Sequence, residues 1–242
     1  MIFKILHLIS TKGALFAFLR WKKFSLASYK IMRRLQKFGV APRTIIDIGA
    51  NLGQFSTAAS HILEPERLIV IEANPNLEAV LYKNLAHVVN KEILITGVGN
   101  FNGDLPFNFN SDSQVSSFLG LGSDRVESFP KSVTLDICNV PIQKLDSLSN
   151  QIDMDQPILL KIDVQGFEKE VIEGAGKFLA SVEWVLIETS FAKLYDGEPT
   201  FTEMIDLMKG CGFDFLGPVN FHENPDRTSI IEMDALFVRL KA

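Results

Sequence analysis

The chain has 242 residues, with 24 Lys and Arg against 29 Asp and Glu and a formal charge of −5. That length suits one large α/β domain with a full core and is short for two. Two cysteines, Cys138 and Cys211, form no C-x-x-C pair and no Cys/His cluster, which argues against a disulfide framework or a metal site and for a reducing cytoplasm.

Charge divides the chain into an extension over residues 1–41 and a body over residues 42–242. Residues 1–46 hold ten Lys and Arg and no acid, so the remaining 14 basic residues face all 29 acidic ones, a net of −15 over residues 47–242. An acidic body is a poor partner for nucleic acid. Within the extension Lys30, Arg33, Arg34 and Lys37 recur at i, i+3, i+4 and i+7 beside an apolar arc of Ile31, Met32, Leu35 and Phe38, which predicts an amphipathic helix. The plain reading packs its apolar stripe on the body; the sharper one attaches residues 1–38 to anionic lipid at the inner face of a membrane. Ile2, Phe3, Ile5, Leu6, Leu8 and Ile9, then Leu15, Phe16, Phe18, Leu19 and Trp21, keep the second open. Lys4, Lys12, Arg20 and Lys22-Lys23 interrupt every apolar run before the roughly 18 residues of a spanning helix. No small-residue cleavage site follows, which argues against secretion.

The most informative stretch comes next. Thr44 to Ile48 predicts a strand that breaks at Gly49-Ala50-Asn51-Leu52-Gly53 and opens a helix, a geometry that brings backbone N–H groups close to a ligand. Glu72 ends a second apolar run nineteen residues after Gly53, where doubly wound folds hold a ribose. Asn51 stands where a dinucleotide fingerprint needs its middle glycine, which disfavours a nucleotide-dependent oxidoreductase. A carboxylate at Asp47 suits a cationic ligand better than a pyrophosphate and points to S-adenosylmethionine.

Apolar runs at 44–48, 67–71, 92–95, 157–162, 182–187 and 234–240 alternate with helical stripes, which predicts a mostly parallel sheet. One stripe is Leu77, Val80, Leu81, Leu85 and Val88; another is Val171, Ile172, Ala175, Phe178 and Leu179. Residues 105–109 and 132–138 read as short inserted strands flanking a Ser-rich stretch from Ser111 to Ser117, expected to form a flap on the substrate side. Thr200 and Glu203 have capping-box spacing. Phe213–Gly217 and Asp234–Leu240 are expected to pair antiparallel through a loop carrying a solvated His222.

Four blocks resemble the FkbM-type S-adenosylmethionine-dependent methyltransferases from about Thr44 onward. They are Ile46 to Gly53; Ile71-Glu72-Ala73-Asn74-Pro75; Leu160-Lys161-Ile162-Asp163-Val164-Gln165-Gly166-Phe167-Glu168; and Val185 to Glu188. The chain departs from the family at Gln165, usually Glu, and at Phe167, usually a small residue. The resemblance implies a class I methyltransferase fold: a Rossmann-like, doubly wound, mostly parallel seven-stranded sheet with a short β insertion and N-terminal helices. It also implies O-methylation of a hydroxyl on a sugar, glycolipid or polyketide-like acceptor. In that frame Asp47, Gly49, Ala50, Asn51 and Gly53 border the methionine part of the cofactor. Glu72, with Ala73 and Asn74, borders the ribose, and Val98 or Gly99 the adenine. Ser116 and Ser117 correspond to a Ser pair of the family's flap.

Methyl transfer to oxygen needs a group that aligns the acceptor and takes its proton. Asp163 ends an apolar strand at the ligand edge and is the first candidate, with Glu188 on the next strand the second. Lys161 alternates onto the same strand face as Asp163 and would neutralise it. A non-catalytic cofactor-binding or scaffold module would keep the same glycines and is the alternative.

Overall fold

The computed structural model describes residues 8–111, 113–122, 134–149, 154–192, 194–224, 226 and 228–240. Ile2, Phe3, Ile5 and Leu6 of the apolar start, and Ser132 of the second inserted strand, lie outside them.

A seven-stranded sheet runs in the order β3-β2-β1-β7-β8-β10-β9. Its strands are β1 (Thr44–Ile48), β2 (Arg67–Glu72), β3 (Lys91–Ile95), β7 (Ile158–Ile162), β8 (Val182–Ser190), β9 (Phe213–Glu223) and β10 (Ile230–Arg239). The β1–β2, β2–β3, β1–β7 and β7–β8 pairs are parallel, whereas β10 is antiparallel to both neighbours. Runs of β-branched and leucine residues buried on both faces favour such a sheet. This is the doubly wound, Rossmann-like architecture expected of a class I methyltransferase.

Strand alternation splits the core into two layers. Ile46, Ile48, Leu160, Ile162, Val185 and Ile187 face α5 (Leu145–Leu148), α6 (Glu168–Glu173) and α7 (Phe201–Gly210). Ile45, Leu68, Val70, Leu159, Leu186 and Leu236 face α2 (Leu26–Lys37), α3 (Gln54–Ile62) and α4 (Glu78–Asn84). The extension contributes α1 (Ala14–Arg20) and α2; Met32 and Leu35 of α2 are fully buried in the second layer, and Lys30, Arg33, Arg34 and Lys37 are exposed. Phe38, placed on the apolar arc by its spacing, is 40% exposed just past the end of α2.

A second sheet, β4-β6-β5, is formed by β4 (Gly97–Val98), β5 (Gly103–Asn110) and β6 (Thr134–Gln143). It is the expected insertion, and it carries the Ser-rich stretch, in which Ser113–Val115 forms a 3-10 turn.

Boundaries differ from the sequence reading at α6 and at the β9–β10 hairpin. The stripe at Val171 to Leu179 is not one helix: α6 stops at Glu173, and Phe178–Ser181 forms a separate 3-10 turn. Gly174 packs against the Gly99 backbone so closely that a Cβ would overlap its carbonyl oxygen, and the chain turns there. His222 lies on a strand, not in a loop, because β9 runs to Glu223. The hairpin turn closes beyond it, where Asn224 Oδ1 accepts from the Thr228 N–H at 2.9 Å and Asn224 N–H donates to the Ser229 carbonyl at 3.0 Å. At α7 the capping box forms as expected.

Candidate active site

The parallel strands end along one edge of the sheet, and antiparallel β10 brings its beginning, not its end, to that edge. A single cavity of about 480 Å3 follows it from Glu72 on β2 to Asn220 on β9. Five strand spacings separate those residues, about 24 Å in all.

At the β1–β2 end the first turn residue has no room for a side chain. Gly49 has φ +75°, and a Cβ there would overlap the Asp163 carbonyl oxygen, so the turn after β1 lies directly against the turn after β7. Asn51 is left-handed at φ 49°, which Asn tolerates through its short polar side chain. Its N–H donates to Glu72 Oε2 at 2.7 Å, and the Asn74 N–H donates to Glu72 Oε1 at 2.8 Å. Each Glu72 oxygen is thus fixed by one backbone donor and keeps a lone pair for a further one. The wall opposite is apolar: Val98, Phe107, Val115 and Phe118. The flap closes this end, with Ser113 Oγ donating to Asn51 Oδ1 at 3.1 Å and Ser117 Oγ to the Gln165 carbonyl at 2.6 Å. Ser116 Oγ accepts from the Asn110 N–H at 3.0 Å.

A chain of charges crosses the middle. Lys161, 5% exposed, lies 3.1 Å from Asp47 Oδ1 and 3.2 Å from Asp163 Oδ2, and donates to the Gly49 carbonyl at 3.2 Å. Ser56 Oγ donates to the other Asp47 oxygen at 2.6 Å. The Gln165 side-chain nitrogen donates to Asp163 Oδ1 at 2.8 Å and to Glu188 Oε2 at 2.7 Å. Its amide oxygen accepts from the buried Tyr195 hydroxyl at 2.6 Å.

Burial alone would raise Asp163, but Lys161 and the Gln165 amide hold it below its ordinary 3.8. Burial would likewise lower Lys161, yet Asp163 and Asp47 more than offset it and keep the ammonium charged. Glu188 goes the other way. Burial first, then the charges of Asp163, Glu232, Asp234 and Glu168, raises it well above 4.5. Two adjacent carboxylates therefore differ in proton affinity, the separation that acid–base sites exploit.

The β9–β10 end is lined by Asn220, His222, Glu232 and Asp234, facing Ser25, Ser28 and Ile31 of the extension. Asn220 donates to Asp234 Oδ2 at 3.0 Å and lies 3.3 Å from His222 Nε2.

Of the residues singled out in the sequence, Gly49, Ala50, Asn51, Glu72, Ala73, Val98, Lys161, Asp163 and Glu188 line this cavity. Four stand behind it. Asp47 is fully buried beneath Lys161, Gly53 packs on Leu81 and Leu85, Asn74 caps the turn after β2, and Gly99 abuts Ile142 and Phe167. Sequence reasoning passed over Tyr195, Glu232, Asp234 and Asn220, and gave the extension no place in the site. An acid at 232 and another at 234, in a run otherwise apolar from Ile230 to Val238, was the one visible signal.

No helix among the described residues is long and apolar enough to cross a membrane. Among them no cluster of His, Cys, Asp and Glu is arranged to hold a metal ion.

The 2-O-methyltransferase NoeI of Sinorhizobium fredii is 24% identical over 211 residues, spanning 83% of this chain and 86% of that protein. Among solved structures, a protein of the NADB-Rossmann superfamily from Streptococcus agalactiae superposes with a TM-score of 0.52 at 6% identity, over 93% of this chain and 72% of that one. The N-terminal domain of EvdMO1, solved with SAH bound, gives 0.50 at 11% identity, over 96% and 85%. These two establish the fold. Residues 47–215, most of the chain, match the model of the methyltransferase FkbM domain, and the protein belongs to the FkbM methyltransferase family.

Proposed function

We propose that the protein methylates a hydroxyl oxygen of a sugar, glycolipid or polyketide-like acceptor, with Glu188 taking the proton and Asp163 orienting the acceptor. S-adenosylmethionine is the methyl donor, and it supplies an electrophilic methyl on a cationic sulfur. The residues present fit it. Glu72, fixed by two backbone donors, offers its free lone pairs to ribose hydroxyls; Gly49, Ala50 and Asn51 line the cavity where the amino-acid part would lie, and Gly49 puts no side chain in its way; and the Val98–Phe107 wall suits a flat base. Ala73 borders the ribose end, and Asp47 acts from behind by holding Lys161. Asn74, Gly53 and Gly99 support these turns from outside the cavity.

The observation that carries the reading is the pair of carboxylates bridged by one amide nitrogen in the middle of the cavity. Asp163, kept ionised beside Lys161, suits a group that accepts a hydrogen bond from the acceptor hydroxyl. Glu188, raised by burial and then by its acidic neighbours, is the better proton acceptor of the two. Oxygen as the acceptor atom is further supported by the relative named a 2-O-methyltransferase. The polar lining at Asn220, His222, Glu232 and Asp234 suits an acceptor rich in hydroxyls.

Calorimetry with S-adenosylmethionine and NAD tests the donor end, and turnover on a panel of glycans and lipids tests the other. Glu72→Ala should weaken donor binding about tenfold to a hundredfold, because two backbone N–H groups lose their partner as well. Asp163→Asn and Glu188→Gln should leave donor binding within about threefold and reduce turnover strongly. Donor binding without turnover on any hydroxylated acceptor would assign the chain to a non-catalytic module.

A further inference from the structure

Helix α1 turns its small residues inward and its large ones outward. Ala14 and Ala17 are 0% and 2% exposed in a cluster with Tyr29, whereas Leu15, Phe16, Phe18 and Leu19 are 45%, 63%, 54% and 73% exposed. A helix that only caps a body does the reverse. Ile9, 61% exposed, adds to the same stretch of chain.

The cations of this stretch are its second feature. Lys12, Arg20 and Lys22 are exposed, and the Arg20 guanidinium lies 5.0 Å over the Phe16 ring. Residues 8–24 contain no Asp, Glu, Asn or Gln, so the face offers a partner apolar bulk and positive charge with almost no directional hydrogen bonding. From these we infer that α1 and its flanks dock on an anionic lipid surface. Phe16 and Leu19 enter the headgroup–acyl boundary, and Lys12, Arg20, Lys22 and Lys23 reach lipid phosphates from its margin. A second copy is a poor occupant, because two-fold apposition would bring these cations together. The acidic body, at net −15 over residues 47–242, is repelled by such a surface, which leaves the extension as the contact.

The docking face is joined to the cavity by a short stretch. Residues 21–24 separate α1 from Ser25, which caps α2 by accepting from the Ser28 N–H, and Ser25, Ala27 and Ser28 line the cavity. A lipid-borne acceptor would meet the site at that rim; this step rests on the proposed function, whereas docking does not.

The test is flotation of the full chain with vesicles of phosphatidylcholine alone and of phosphatidylcholine with phosphatidylglycerol. The protein should float with the anionic vesicles only. Phe16→Ser with Leu19→Ser should lower partition about tenfold or more, and Lys22→Glu with Lys23→Glu by roughly 25-fold or more, an effect that added salt reproduces in part. Leu15→Ser with Phe18→Ser gives a second apolar pair, and unchanged donor binding by calorimetry shows that each variant is folded. No flotation of the unaltered chain, or flotation of both apolar-pair variants equal to that of the unaltered chain, overturns the inference. So does a dimer in sedimentation equilibrium that the same substitutions dissolve without any vesicle binding. Loss of donor binding in every form, the unaltered chain included, would refute the function and leave the docking result standing.

Discussion

The Tyr195 hydroxyl donates to the side-chain oxygen of Gln165 at 2.6 Å and so decides which way that amide faces. With its oxygen engaged, the amide turns its nitrogen to Asp163 and Glu188, and both carboxylates meet a donor. The loop bearing Tyr195 is itself clamped: Glu198 accepts from the Leu194 N–H at 2.6 Å and from Ser190 Oγ at 3.3 Å.

Tyr195→Phe should therefore lower turnover about tenfold to a hundredfold, because the freed amide can turn its oxygen toward the two carboxylates. Donor affinity, set at the Glu72 end, should stay within about threefold. Steady-state rates beside calorimetry separate the two. An unchanged rate would show that the amide needs no such lock.

Lys161→Met should destabilise the fold by about 3–5 kcal/mol, since it leaves the fully buried Asp47 and the half-buried Asp163 without their cation. Urea unfolding measures this. Lys161→Arg should not restore stability, because a planar fork cannot replace a compact ammonium held between two carboxylates and the Gly49 carbonyl. Wild-type stability in the Met variant would mean that the ion pairs contribute nothing.

Burial raises the Glu168 carboxyl from its ordinary 4.5 to about 8, against the opposing pull of the Val164 N–H. Between those values the folded chain holds a proton that the unfolded chain has released. The contribution is full below about 4.5, falls as pH rises, and is gone once pH passes about 8. Glu168→Gln removes this titration, so unfolding free energies collected across that window should slope less steeply, by up to about 1.4 kcal/mol per pH unit. Glu188 and Asp234, raised in the same direction, keep some slope in the variant. Identical slopes would place the Glu168 carboxyl near its ordinary value.

What could be read in the sequence was what the chain does locally. Asp47 to Gly53 and Glu72 announce themselves, because a strand, a glycine turn and a second strand end obey spacing rules along one stretch of chain. Alternation likewise put Lys161 and Asp163 on one face, and they meet at 3.2 Å. Tyr195 and Ser117 obey no such rule. Both reach Gln165 from loops whose course is set by distant packing, 30 and 48 residues away in sequence. Asp234 lies on the strand the sequence anticipated and Glu232 just before its expected start, but their place at the cavity edge depends on β10, which begins at Ile230, entering between β8 and β9 in reverse. The loop assigned to His222 failed for a related reason: β9 continues because β10 is there to pair with it, down to Ile230 opposite Glu223.

The entry of β10 between β8 and β9 also fixes an order of events during synthesis. The donor end, residues 44–74, emerges from the ribosome well before Glu232 and Asp234; at about 5–20 residues per second the gap is roughly ten to thirty seconds. Until β10 arrives, β8 and β9 each present an unpaired edge, the arrangement that invites pairing with other chains. The wall carrying Glu232 and Asp234 is thus among the last parts of the molecule to be made, and a chain released short of Ile230 lacks that wall and keeps both edges open.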